Sequence, residues 1–145
     1  MKQMNAYLVP TITAGKEVTE NAQIEGYYPE LVVPKAQEIG PKIQNTFAKA
    51  YKRGVPILFG TDAGVFKHGE NAREFEYMTE AGMPVMDAII SATISPAKVL
   101  NMETESGQIA PGFYADIIAV NEDPTQNVST LKEVVFVMKE GKVYK

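Results

Sequence analysis

The sequence predicts an α/β fold, and three observations predict it. A helix-forming stretch closed by Gly54 passes directly into Val55, Pro56, Ile57, Leu58 and Phe59, an almost continuous apolar run. A run without alternation is the pattern of a strand buried on both faces of a parallel sheet. Helical periodicity resumes after it, and the last third turns to short β-branched runs punctuated by Gly107, Pro111, Gly112 and Pro124.

In chain order, residues 6–13 alternate β-branched or aromatic groups with small or polar ones, which predicts a short strand that Pro10 places near an edge or an end. Residues 14–34 are polar and without period, which predicts a long ordered loop or lid. Pro41 fits the first turn of a helix in which Ile43, Phe47 and Tyr51 recur every fourth residue until Gly54. After the apolar run come Thr61, Asp62, Ala63 and Gly64, a loop with His68 and Gly69, and a helix over 71–81 with Ala72, Phe75 and Met78 on one face and Gly82 as its stop. A helix over 85–93 follows Pro84, and Ser95 with Pro96 restarts helix as far as about residue 101. Residues 115–120 and 134–138 read as strands, and Lys139, Glu140, Gly141 and Lys142 as a hairpin turn.

Composition excludes several functions. The chain has 145 residues, Lys+Arg 14 against Asp+Glu 18, a net charge of -4, one histidine and no cysteine. Mild acidity argues against nonspecific binding to nucleic acid or anionic lipid. Without cysteine there is no disulfide, no thiolate nucleophile and no zinc finger, and one histidine rules out a multi-histidine metal cluster made by this chain alone. The apolar stretch at 6–14 is too short and too broken by Pro10, Thr11 and Thr13 for a signal peptide, and nothing approaches the roughly 20 apolar residues of a membrane span. A soluble protein is expected, with the cytoplasm favoured as its compartment.

Asp62 is the most pointed residue, a carboxylate directly after the apolar run and flanked by Gly60 and Gly64. Catalytic groups of α/β proteins gather at the carboxyl ends of parallel strands, so an acid here suits proton transfer or metal ligation. Aspartate also favours turns and caps for its own sake, and spacing does not separate the two readings. His68, the sole imidazole, lies a few residues on; it is either a substrate contact over the same strand end or a solvated loop residue. Arg73, Glu74 and Glu76 read as the solvated face of a helix, and Met78, Met83 and Met86 as core filling.

The order of these residues resembles the amidohydrolase superfamily, in its imidazolonepropionase-like and Xaa-Pro-dipeptidase-like branch. The resemblance is carried by residues 54–64, by His68-Gly69-Glu70-Asn71-Ala72-Arg73-Glu74, by residues 80–88, by Ala92-Thr93 with Ser95-Pro96-Ala97, and by the closing runs 107–117 and 137–144. It implies the last two strands and following helices of a metal-dependent hydrolase (β/α)8 barrel over residues 1–104, with residues 6–11 as the seventh strand and 55–59 as the eighth. Residues 105–145 then become strands of the accompanying small β-domain. It further implies hydrolysis of a C–N bond in a dipeptide or small cyclic amide, a divalent metal with zinc foremost, and Asp62 as both metal-site carboxylate and proton shuttle.

One departure from the family pattern is large. The family's metal histidines and its lysine or glutamate ligand all precede the region matched, and His68 does not align with any of them. A chain of this length is also well short of the roughly 250 residues of a closed barrel. No metal is therefore expected to be held stably by this chain alone, and association into a homo-oligomer is expected to cover its apolar faces. The rival expectation is a noncatalytic module that folds by self-association or with a separate N-terminal chain. An independently active α/β hydrolase fares worse, because no G-x-S-x-G elbow is present.

Overall fold

Helices dominate residues 1–104 and a small antiparallel sheet closes the chain, as seen in a computed structural model that describes residues 1–145. Two extended segments meet in parallel near the start. Leu8 pairs with Ile57, with Leu8 N donating to Pro56 O at 2.9 Å and Leu58 N to Leu8 O at 3.0 Å. This is a single bridge where longer strands were expected, and only Ile57 of the run 55–59 is buried. A strand meant for burial on both faces is here half covered.

The expected strand over 6–13 is cut short because Thr11 takes a left-handed backbone (φ 47°) and helix α1, Ile12–Asn21, starts directly after it. The open loop expected from residue 14 is therefore mostly helix, and only residues 22–32 remain as turns. The polar run Lys16, Glu17, Thr19, Glu20 hid the helix. Its buried residues are Ile12, Thr13, Ala14 and Gly15, and the last three are too small or too polar to read as an apolar stripe.

Helix α2, Val33–Lys52, is longer than its apolar period suggested, with Pro34 in the first turn and Pro41 inside the helix instead of opening it. An internal proline has no N–H to give and crowds the preceding turn. Thr19 compensates from α1: its hydroxyl donates to Ala36 O at 2.9 Å and accepts from Gly40 N at 2.9 Å. The two helices cross closely enough for this because glycine faces glycine. A Cβ on Gly40 would stand 2.7 Å from Thr19 Oγ1 and 3.0 Å from Gly15 O.

Helix α3, Arg73–Glu80, and α4, Val85–Ala92, follow where the periodicity placed them, while α5, Ile94–Val99, starts before Ser95, with Thr93 and not Ser95 in the cap position. Ile12, Phe47, Ile57, Met78, Met83 and Ala88 form the core where α1 to α4 meet the bridge. Each fully buried large side chain there contributes roughly 1.5–3 kcal/mol. Phe59 stacks on Phe75 at 4.2 Å and extends the cluster. Met86 is 50% exposed and belongs to the surface, not to the core expected of it.

Strands β1, Ile117–Ala119, β2, Phe136–Lys139, and β3, Lys142–Val143, form an antiparallel sheet in that order. Glu140 (φ 51°) and Gly141 (φ 79°) supply the two positive dihedrals of a tight hairpin turn. Asp116 secures that turn, accepting from Glu140 N and from Lys139 Nζ, both at 2.8 Å. The sheet region is tied to α3 through Glu76, which pairs with Lys132 at 2.8 Å and accepts from Ser129.

The surface is large for the mass. The chain exposes 9354 Å², roughly a quarter more than the ~7,400 Å² of a folded monomer of 15.9 kDa. Leu31, Leu100 and Ile109 are 93%, 65% and 81% exposed. No helix is long and apolar enough to cross a membrane.

Candidate active site

The parallel bridge directs residues 8–10 and 57–60 the same way, so α1 and the loop after Gly60 begin at the same end of the pair. Gly60 is required there: a Cβ would collide with the Val9 side chain. Thr61 is buried and receives a hydrogen bond from Asn71 Nδ2 at 3.0 Å. Asn71 Oδ1 in turn accepts from Gly69 N at 3.2 Å and folds the loop back on itself.

Asp62 therefore projects from a fixed point. Its backbone is left-handed (φ 54°) and its side chain is exposed. Aspartate tolerates this conformation better than most residues, but a residue so held at a strand end marks a place where geometry matters. His68 is exposed on the same loop, beside Gly69 at φ 100°. The loop's internal bonds run through Asn71 and through the backbone pairs Gly64 N to Phe66 O and Glu70 N to Lys67 O, and engage neither His68 nor Asp62.

The acidic face of α3 is not solvated, which corrects the reading of Arg73, Glu74 and Glu76. Glu74 is 0% exposed. Its carboxylate accepts from Ile12 N at 2.8 Å, Thr13 N at 2.7 Å and Thr13 Oγ1 at 2.7 Å, and so caps α1 from a helix some sixty residues away in sequence. Burial raises its pKa above the ordinary glutamate value, with the three donors pulling the other way. Arg73 reaches Glu17, Glu20 and Glu70 at 3.1–3.3 Å and Tyr77 Oη at 2.7 Å. At Glu76 burial opposes the charge, but Lys132 and Ser129 outweigh it and the carboxyl titrates below its usual range. The signal available for Glu74 was its place on the Asn71, Glu74, Met78 stripe; glutamate beside arginine argued for solvent instead.

No group of three or more histidine, aspartate or glutamate side chains converges to hold a metal ion. A catalytic zinc takes about three protein ligands, so Asp62 alone does not make a metal site from this chain. Cavities of about 420 and 380 Å³ lie away from Asp62, the first between α5 and β1 and the second beside Tyr51 and Asp87.

Known proteins resemble this chain in sequence and in fold. A profile described as the amidohydrolase family matches residues 1–144. A solved structure of a Xaa-Pro dipeptidase with methionine bound in its active site superposes with a TM-score of 0.94 at 50% identity, covering 100% of this chain and 36% of that one. Ochratoxinase of Aspergillus niger is 33% identical over 116 residues, 77% of this chain and 24% of the relative. Its crystal structure superposes with a TM-score of 0.78 at 26% identity over 100% of this chain and 33% of that one. The chain thus corresponds to about a quarter to a third of these longer proteins, at their C-terminal end.

Proposed function

We propose, on the premise that this chain belongs to the amidohydrolase family, that it is the C-terminal part of an enzyme hydrolysing a C–N bond in a dipeptide or small cyclic amide. The observation that carries the reading is 50% identity to a Xaa-Pro dipeptidase across the whole chain. Residues 1–104 then supply the last two strands of a (β/α)8 barrel and their helices, with 105–145 as strands of a small β-domain. The excess exposed surface and the single parallel bridge support this, since both are what an arc of a barrel has before its remaining strands cover it.

In this reading Asp62 is the proton-transfer group. Standing at the carboxyl end of its segment, it takes a proton from the attacking water as the oxygen bonds to the carbonyl carbon. It returns that proton to the nitrogen as the C–N bond breaks, so that acid and amine leave in balance. His68, exposed on the same loop, contacts substrate. Members of the family are generally metal-dependent. A divalent ion, zinc foremost, would supply a polarised water when bound, and Asp62 would be one of its ligands.

The test is release of free amino acid from a panel of dipeptides, proline-terminated ones first, by the complete enzyme. Hydrolysis of at least one amide is expected, and none at all would contradict the reading. Native mass spectrometry of residues 1–145 tests the segment against a self-sufficient enzyme: a metal-free homo-oligomer is expected. A monomer with a stoichiometric divalent ion would show that the segment makes its own site.

A further inference from the structure

The start of α3 and the turn just before it join the ends of both parallel segments. Asn71, in that turn, and Glu74, in the helix, are three residues apart, with Glu74 N donating to Asn71 O at 3.2 Å. Asn71 holds Thr61 at 3.0 Å, next to Asp62. Glu74 holds Ile12 N, Thr13 N and Thr13 Oγ1 at 2.7–2.8 Å, where α1 leaves the other segment. Between those segments the backbone supplies only the Leu8 and Ile57 bridge. Beyond it, the separation of the two ends is set by side chains: Val9 against Gly60 below, and the α3 pair above. Arg73 adds a second hold on α1 through Glu17 and Glu20.

A fully buried carboxylate is a poor device for stability alone, because desolvation offsets much of what its hydrogen bonds supply. It is a good device for geometry, since three short bonds to one carboxylate fix its partners in both distance and angle. From this arrangement we infer that Glu74 is a positioning residue for the reaction. Together with Asn71 it sets where Asp62 stands relative to the segment that enters α1. The inference rests on the reading of Asp62 as the proton-transfer group, and it adds two residues that touch neither substrate nor metal.

The test uses the complete enzyme with Glu74→Gln, Thr13→Val and Asn71→Ala, reading kcat, KM, metal content and backbone hydrogen exchange. Glu74→Gln keeps the volume but turns an amide N–H₂ toward donors. It is expected to lower kcat about 100-fold, the scale of an ångström's misplacement of reacting groups, with KM and metal content within about twofold of wild type. Thr13→Val removes one donor of three and leaves the helix its backbone bonds, so a smaller loss of about 5- to 10-fold is expected. Exchange is expected to rise at residues 11–15 in both, and at 60–64 in Asn71→Ala. A merely structural role would lower the melting temperature and leave kcat of the folded protein intact, and that result overturns the inference. Should Glu74→Gln fail to fold, wild-type kcat in Thr13→Val overturns it equally. Unchanged exchange at 11–15 overturns the clamp whether or not an amide substrate is found, whereas an inactive wild type overturns only the functional reading.

Discussion

Removing the Thr19 hydroxyl tests the account of how α1 and α2 are joined. That hydroxyl is shared between Ala36 O and Gly40 N, each at 2.9 Å, one residue before Pro41. Thr19→Val keeps the shape and takes away both of these bonds, together with the hydroxyl's contact to Gly15 O at 3.1 Å. A protein hydrogen bond contributes a net of about 0.5–1.5 kcal/mol, and more when its partner is left unpaired in a buried place. Thr19 is half-buried, so the lower half of the range for orphaned groups applies and a loss of about 1–2 kcal/mol is expected. Thr19→Ser keeps the hydroxyl and is expected to cost about 0.5 kcal/mol through lost methyl packing. Urea unfolding of the complete protein followed by far-ultraviolet circular dichroism measures both. If Thr19→Val is as stable as Thr19→Ser, the hydroxyl does not support the proline-containing helix and the reasoning fails.

Gly107→Ala is expected to destabilise by about 2–4 kcal/mol, from a φ of 92° and a Cβ placed 2.8 Å from Thr93 O; the same unfolding assay checks it. Glu76 contributes stability above the ordinary carboxylate range because its folded pKa is lowered. The difference between wild type and Glu76→Gln should therefore fade as pH falls through that range, and a difference that grows instead would contradict the Lys132 pairing. The Tyr51 phenol, bonded to Asp87 at 2.6 Å, is pushed up to about 12. Its contribution is complete below the ordinary phenol range and is lost as pH climbs toward 12; Asp87→Asn should return its ultraviolet titration toward the ordinary value.

What sequence showed of this molecule follows from which signals are local. The helices over 73–80 and 85–92 were legible because apolar spacing and stop residues lie within the element. The hairpin at 139–142 was legible from Gly141. Helix α1 was not, because its buried face is Thr13, Ala14 and Gly15 and its cap comes from Glu74, far along the chain. Pro41 misled for the same reason: the group that accommodates it in mid-helix is Thr19 on another element. At the candidate site, Asp62 drew attention by its place after an apolar run, but its left-handed backbone was not legible there. Glu74 and Asn71 were invisible as partners because only tertiary structure brings them to Thr13 and Thr61.

The central claim is that Asp62 transfers the proton in C–N hydrolysis. Single-turnover and steady-state kinetics of Asp62→Asn in the complete enzyme test it most directly, with metal content and unfolding free energy measured on the same preparation. The account predicts that turnover falls by at least the ~10²–10⁴-fold that a positioned general acid–base group supplies, in a protein that stays folded because Asp62 is exposed. Wild-type turnover in a folded, metal-loaded Asp62→Asn enzyme would contradict it.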